Sequence, residues 1–126
     1  MSTLAVATIK SASSAAPVFQ NTSGTEIGQL AKAYVKINGV SGTFVRQEFG
    51  VSSVTDSGTG DYTVNFSTAF ANDEFIMVCV ATNNNHSRGG FGMKEGGSTT
   101  TCDLFCTSYS NNSRFDVEAF FAFYGD

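Results

Sequence analysis

The sequence predicts an all-β protein: an antiparallel, jelly-roll-like β-sandwich of about 7–8 strands with an extended N-terminal arm. Three observations predict it. The polar half of the chain is neutral, with 15 Ser, 14 Thr and 9 Asn against only 14% charged residues, a mixture that suits strands and turns rather than helices. The 12 Phe are bulky, strand-favouring side chains. Short alternating runs recur every 8–12 residues between turn signals, the rhythm of a sandwich or small barrel. At 126 residues, one domain is expected.

Residues 1–30 stand apart. Apolar side chains are isolated among Ala, Ser and Thr and follow neither a period of 2 nor one of 3.6. Such a segment buries too little apolar area on its own to offset its ordering entropy. It is expected to be an assembly arm, docked on its own domain or on a partner subunit. Leu4, Val6, Ile9, Val18 and Phe19 are its candidate assembly contacts. The first ten residues, MSTLAVATIK, lack a charged start followed by an apolar block, so no secretory signal is expected.

From residue 31 the pattern changes, and residues 31–126 are expected to form the knob. Ala31, Ala33, Val35 and Ile37 alternate with Lys32, Tyr34, Lys36 and Asn38, the mark of a half-buried strand. Asn38-Gly39 signals a turn. Thr43–Phe49 alternates again, and Val51–Thr55 continues it. Asp56–Asp61 is a turn rich in residues that accept positive φ. Tyr62, Val64 and Phe66 then alternate with Thr63, Asn65 and Ser67. Phe75–Thr82 is apolar on both faces, which predicts a central strand covered by two layers. The loop Asn83–Gly90 leads to a short strand at Phe91–Glu95. Thr100–Thr107 places Cys102, Leu104 and Cys106 on one side. Phe115–Tyr124 closes the chain as a second strand apolar on both faces, with Phe120 and Tyr124 sharing one face with Asp116, Glu118 and Ala122. An exposed aromatic pair there, Phe120 and Tyr124, marks a candidate subunit interface, unless the arm or a neighbouring strand covers it.

The chemistry-bearing residues are sparse. The net charge is −4 and the seven basic residues are scattered, whereas nucleic-acid binding needs clustered Lys and Arg. No apolar run approaches the ~20 residues that span a bilayer as a helix. His86 is the only histidine, and its loop carries no Cys or carboxylate at ligand spacing, so no metal site is expected. No carboxylate pair, triad or phosphate loop is placed by spacing. Neither catalytic residues nor a cofactor is expected. The three cysteines are expected to be reduced: Cys102 and Cys106 lie roughly 13 Å apart along one strand, too far for a disulfide, and a bridge from Cys79 to one of them is the alternative. Two polar loops offer neutral hydrogen-bonding groups and an aromatic platform suited to sugars: Asn83, Asn84, Asn85, His86 and Arg88 in one, Tyr109, Asn111 and Asn112 in the other.

The stretch from Pro17 to Phe66 carries a resemblance. Ala31-Lys32-Ala33-Tyr34-Val35, Arg46–Phe49 and the hairpin Val51–Phe66 (VSSVTDSGTGDYTVNF) resemble a family of small virion proteins of marine and cyanobacterial tailed phages. Tyr34 stands where that pattern has Trp. The likeness covers about two-fifths of the chain, and supplies no catalytic residues. It implies a non-enzymatic virion surface protein, a β-knob of tail-fibre or appendage type, made in the host cytoplasm. By analogy with fibres, a homotrimer is expected, with other virion proteins and host-surface glycans as further partners and avidity as the mechanism. The alternative is a capsid decoration protein whose arm clamps neighbouring shell subunits. A carbohydrate-binding module and a polysaccharide depolymerase are the readings from other classes.

Overall fold

The computed structural model describes residues 5–6, 8–9, 19–40, 44–81, 89–94, 98–108 and 112–125. It is all-β, with ten strands among the described residues: β1 Phe19–Gln20, β2 Glu26–Gly28, β3 Ala33–Asn38, β4 Val45–Phe49, β5 Val51–Gly58, β6 Asp61–Phe66, β7 Ile76–Ala81, β8 Gly89–Met93, β9 Thr101–Ser108 and β10 Glu118–Tyr124. Eight of them build two four-stranded antiparallel sheets, in the orders β4-β3-β10-β7 and β5-β6-β9-β8. The expected sandwich is therefore present. The two additional strands, β1 and β2, form a small hairpin of their own inside the arm.

The alternation of each strand decides which side chains meet between the sheets. From the first sheet come Ala33, Val35, Ile37, Ala119, Phe121 and Phe123. From the second come Tyr62, Val64, Phe66, Cys102, Leu104 and Cys106, and all twelve are buried in one cluster. Burial of this apolar surface is the main favourable term of folding. At one end, Phe66 is ringed by Phe70, Phe75 and Phe123 at centroid distances of 4.8, 5.4 and 5.0 Å, all edge-on, the geometry aromatic quadrupoles favour. Lys32 Nζ lies 4.6 Å from the Phe70 ring centre. This cluster anchors the 67–75 connection, which the backbone also ties down through Phe70 N–H donating to Thr99 O.

The opposite end is closed by hydrogen bonds. Asp116 Oδ1 accepts from Gly60 N–H at 2.8 Å and from the Tyr62 hydroxyl at 3.3 Å. Val117 N–H donates to the same hydroxyl, and Gly39 N–H donates to Val117 O. Two glycines are needed here. Gly60 has φ +63°, and a Cβ on it would meet the backbone of Phe115, while a Cβ on Gly39 would collide with the Tyr62 hydroxyl.

Several expectations change in detail. Val51–Gly58 is a full strand of the second sheet rather than a short continuation, because Gly50, at φ +66°, turns the chain from one sheet to the other. Val117 precedes β10 and is buried outside any strand. The larger correction concerns β7. It is an edge strand, paired only with β10 among the described strands, and its outward side chains are open to solvent. A strand apolar on both faces predicts cover on both, and here one cover is not among the described residues.

Candidate assembly surface

The register of the first sheet arranges its outward side chains in rows. Phe49, Tyr34, Ala122 and Val78 lie side by side across all four strands. Gln47, Lys36, Phe120 and Val80 form the next row, and Tyr124 stands beside Ile76. This outer face is apolar over most of its width. Ile76 is 66% exposed, Phe49 56%, Val80 56% and Val78 49%. The aromatic side chains hold one another in place: Tyr34 stacks on Phe49 at 5.6 Å and leans on Phe120 at 6.3 Å. The one cation in the rows, Lys36, is paired with Glu118 at 2.9 Å. The face therefore presents little charge that a partner would have to desolvate unpaired.

The outer face of the second sheet is its chemical opposite. Its rows are Ser53, Asn65 and Thr101, then Thr55, Thr63 and Asp103, then Asp61, Phe105 and Gly92. Thr63 donates to Asp103. Asp61 is held by Lys94 at 2.6 Å and by Arg114 at 3.4 Å. Phe105, the large apolar residue in those rows, is covered. Its ring lies over Gly92, where a side chain would collide with it, and the Arg114 guanidinium sits 4.9 Å from its centre. The same chain thus solvates one outer face and leaves the other oily. Such asymmetry is a mark of an interaction surface.

Two of the assembly contacts expected from sequence, Phe120 and Tyr124, lie on this apolar face, Phe120 exposed and Tyr124 half-buried. Sequence reasoning missed the residues that complete it: Tyr34, Phe49, Ile76, Val78 and Val80. The signal is the double-sided apolarity of Phe75–Thr82, which predicts burial on both faces. Val6, Ile9 and Phe19 of the arm are exposed; Leu4 and Val18 lie outside the described residues. Of the candidate sugar contacts, Asn83, Asn84, Asn85, His86, Arg88, Tyr109 and Asn111 also lie outside them. Asn112 is described: it is exposed, with φ 54°, and its N–H donates to Ser108 O. That is a turn residue's geometry, since Asn tolerates the left-handed region.

Cys79, Cys102 and Cys106 are free thiols. Desolvation pushes Cys102 up to about 12, with Asp103 adding to it, and Cys106 up to about 11, with Cys79 adding to it. The Tyr62 phenol is also pushed upward, chiefly by burial. These shifts hold the groups neutral and unreactive, the opposite of an activated nucleophile. Among the described residues, no three His, Cys, Asp or Glu side chains converge to hold a metal.

No protein-family model, no curated protein and no solved structure matches this chain.

Proposed function

We propose that the protein is a non-enzymatic structural component of a tailed-phage virion, a surface knob of tail-fibre or appendage type. It is mounted through the apolar outer face of the β4-β3-β10-β7 sheet and through its N-terminal arm. Its partners are copies of itself, a neighbouring virion protein and host-surface glycans. The observation that carries the reading is the one-sided apolar face, with Phe49, Val78 and Val80 each about half exposed. A binding module acting alone in water has no use for such a surface, whereas a subunit that works only when assembled does. The resemblance of Ala31–Val35 and Val51–Phe66 to small phage virion proteins supplies the kind of particle.

The test is to locate the protein on purified virions with a gold-labelled antibody and to measure its copy number. Label confined to tail appendages is expected. A shell-wide distribution at capsid stoichiometry would replace the tail placement with capsid decoration, and absence from the particles would overturn the virion reading. A second arm uses the double variant Phe49→Ser, Phe120→Ser. It should fold, because both side chains are exposed, and it should fail to incorporate.

A further inference from the structure

We infer that two copies of this chain join edge to edge through β7, antiparallel about a twofold axis, making one continuous eight-stranded sheet. The inference concerns the edge of the sheet rather than its face, and it holds whichever particle carries the protein.

An edge strand exposes a row of unpaired backbone N–H and C=O groups, and folded proteins protect such edges with charges, bulges, Pro or short length. The described edges of this sandwich differ in that respect. Strand β4 carries Arg46 and Glu48, and its pairing with β3 is interrupted by a register shift. Strand β5 has two register shifts and carries Asp56. Strand β8 is short, has glycine at three of its five positions and is followed at once by Lys94. Strand β7 reads Ile-Met-Val-Cys-Val-Ala. It holds no charge, no Pro and no Gly, and its register with β10 runs unbroken for six residues. Within its own six residues it is the one described edge that carries no charge, glycine or register shift.

The partner that fits is a second β7. A twofold axis perpendicular to a sheet pairs identical strands antiparallel and keeps each outer face on the same side. Directly opposite residues in an antiparallel pair point to the same face, so one residue must face its own copy. With Val78 in that place, Ile76 stands opposite Val80 of the second copy at both ends. The row Phe49, Tyr34, Ala122, Val78 then continues into Val78, Ala122, Tyr34 and Phe49 of the second copy. Pairing with β4 instead would set this strand against Arg46 and Glu48 and across a register shift. On the outer face Lys36 and Glu118 already neutralise each other, and the acidic pair Asp73 and Glu74 precedes Ile76, outside the paired stretch Ile76–Val80. A single strand edge buries less than a standard interface of about 1,600 Å². The dimer is therefore concentration-dependent in dilute solution, with a dissociation constant in roughly the micromolar range. Its twofold symmetry departs from the threefold expected by analogy with fibres.

The full chain is examined by sedimentation equilibrium over increasing concentration, beside three variants. The wild type should approach the mass of two copies. Val78→Lys should remain monomeric with an unchanged circular dichroism spectrum. Val78→Cys should form a disulfide-linked dimer under mild oxidation, because facing Cα atoms in an antiparallel pair lie about 4.5–5.5 Å apart, within disulfide reach. Ile76→Cys should not, because two residues off the axis its own copies stand about 13 Å apart along the strand. A wild type that stays monomeric into the millimolar range, or that reaches three copies, overturns the inference. So does a Val78→Lys protein that still dimerises, or cross-linking of Ile76→Cys as efficient as that of Val78→Cys. If Val78→Lys fails to fold, the two cysteine variants decide. A folded Phe49→Ser, Phe120→Ser protein that dimerises but fails to incorporate separates this edge contact from the mounting face.

Discussion

A single hydroxyl organises one end of the sandwich. Tyr62 fills the space above Gly39, and its oxygen links Val117 N–H to Asp116. Tyr62→Phe removes that link and leaves the Val117 amide short of a partner. It should cost about 1 kcal/mol in denaturant unfolding. Gly39→Ala puts a methyl where the hydroxyl sits and should cost about 1–3 kcal/mol as overpacking. Because both changes act on one contact, the double variant should cost less than the sum of the two; strict additivity would show that the contact is not made. The buried thiols give a second prediction at this scale. Cys102 and Cys106 ionise near 12 and 11 in the fold, against an ordinary value of 9.0. Above pH 9 the unfolded chain therefore loses thiol protons that the native state keeps. With fewer protons bound to the unfolded state, stability falls as pH rises, and the Tyr62 phenol adds to the fall from about pH 10 upward. A melting temperature that is level below pH 9 and declines between 9 and 12 is expected, with the decline reduced in Cys102→Ala. In native protein near pH 8, a thiol reagent should modify Cys79, half-buried, before Cys102 and Cys106.

Strands were legible in the sequence where one face is wet and one is dry. Tyr62, Val64 and Phe66 alternate with Thr63, Asn65 and Ser67, and the structure buries the first three, as it does Cys102, Leu104 and Cys106. The extent of β5 was not legible, since Asp56, Ser57 and Gly58 have turn composition and yet remain paired with β6; a long hairpin can hold residues of low strand propensity when tertiary pairing outweighs it. The placement of β7 was not legible either. Periodicity reports whether a face is apolar, not what covers it, so an interface strand and a core strand read alike. The same ambiguity hid half of the apolar face, although Phe120 and Tyr124 were visible as an aromatic pair. Stability measurements distinguish the two kinds of apolar residue. Phe66→Ala removes the ring that Phe70, Phe75 and Phe123 pack around, and should cost about 3–5 kcal/mol. Phe49→Ala, on the outer face, should change monomer stability by no more than about 0.5 kcal/mol. Equal losses from the two would mean that the outer face is packed within the monomer.

At the scale of the whole molecule, the chain divides by where its bonds go. The bonds of the hairpin formed by β1 and β2 are local: Asn21 Oδ1 accepts from Ser23 and Thr25 N–H, and Gly24 makes the turn at φ +81°. Its residues 19–28 are exposed throughout, so it contributes little buried apolar surface to the sandwich. Just beyond the arm the backbone of Lys32 is tied to the knob, its N–H donating to Phe123 O at 2.9 Å. Removing residues 1–30 therefore spares that bond, the cation over Phe70 and every strand of both four-stranded sheets. The shortened chain should fold with a melting temperature within a few degrees of the full protein, because every described residue of the arm is exposed. If the arm is a mounting device, the same chain should be absent from particles assembled in its presence. The two readouts separate the roles. A shortened chain that unfolds would show that the arm completes the core, and one that folds and still incorporates would leave the apolar sheet face as the sole mounting surface. Val6, Ile9 and Phe19, exposed in the single chain, should then become protected from solvent only within the particle, as hydrogen exchange on intact virions would register.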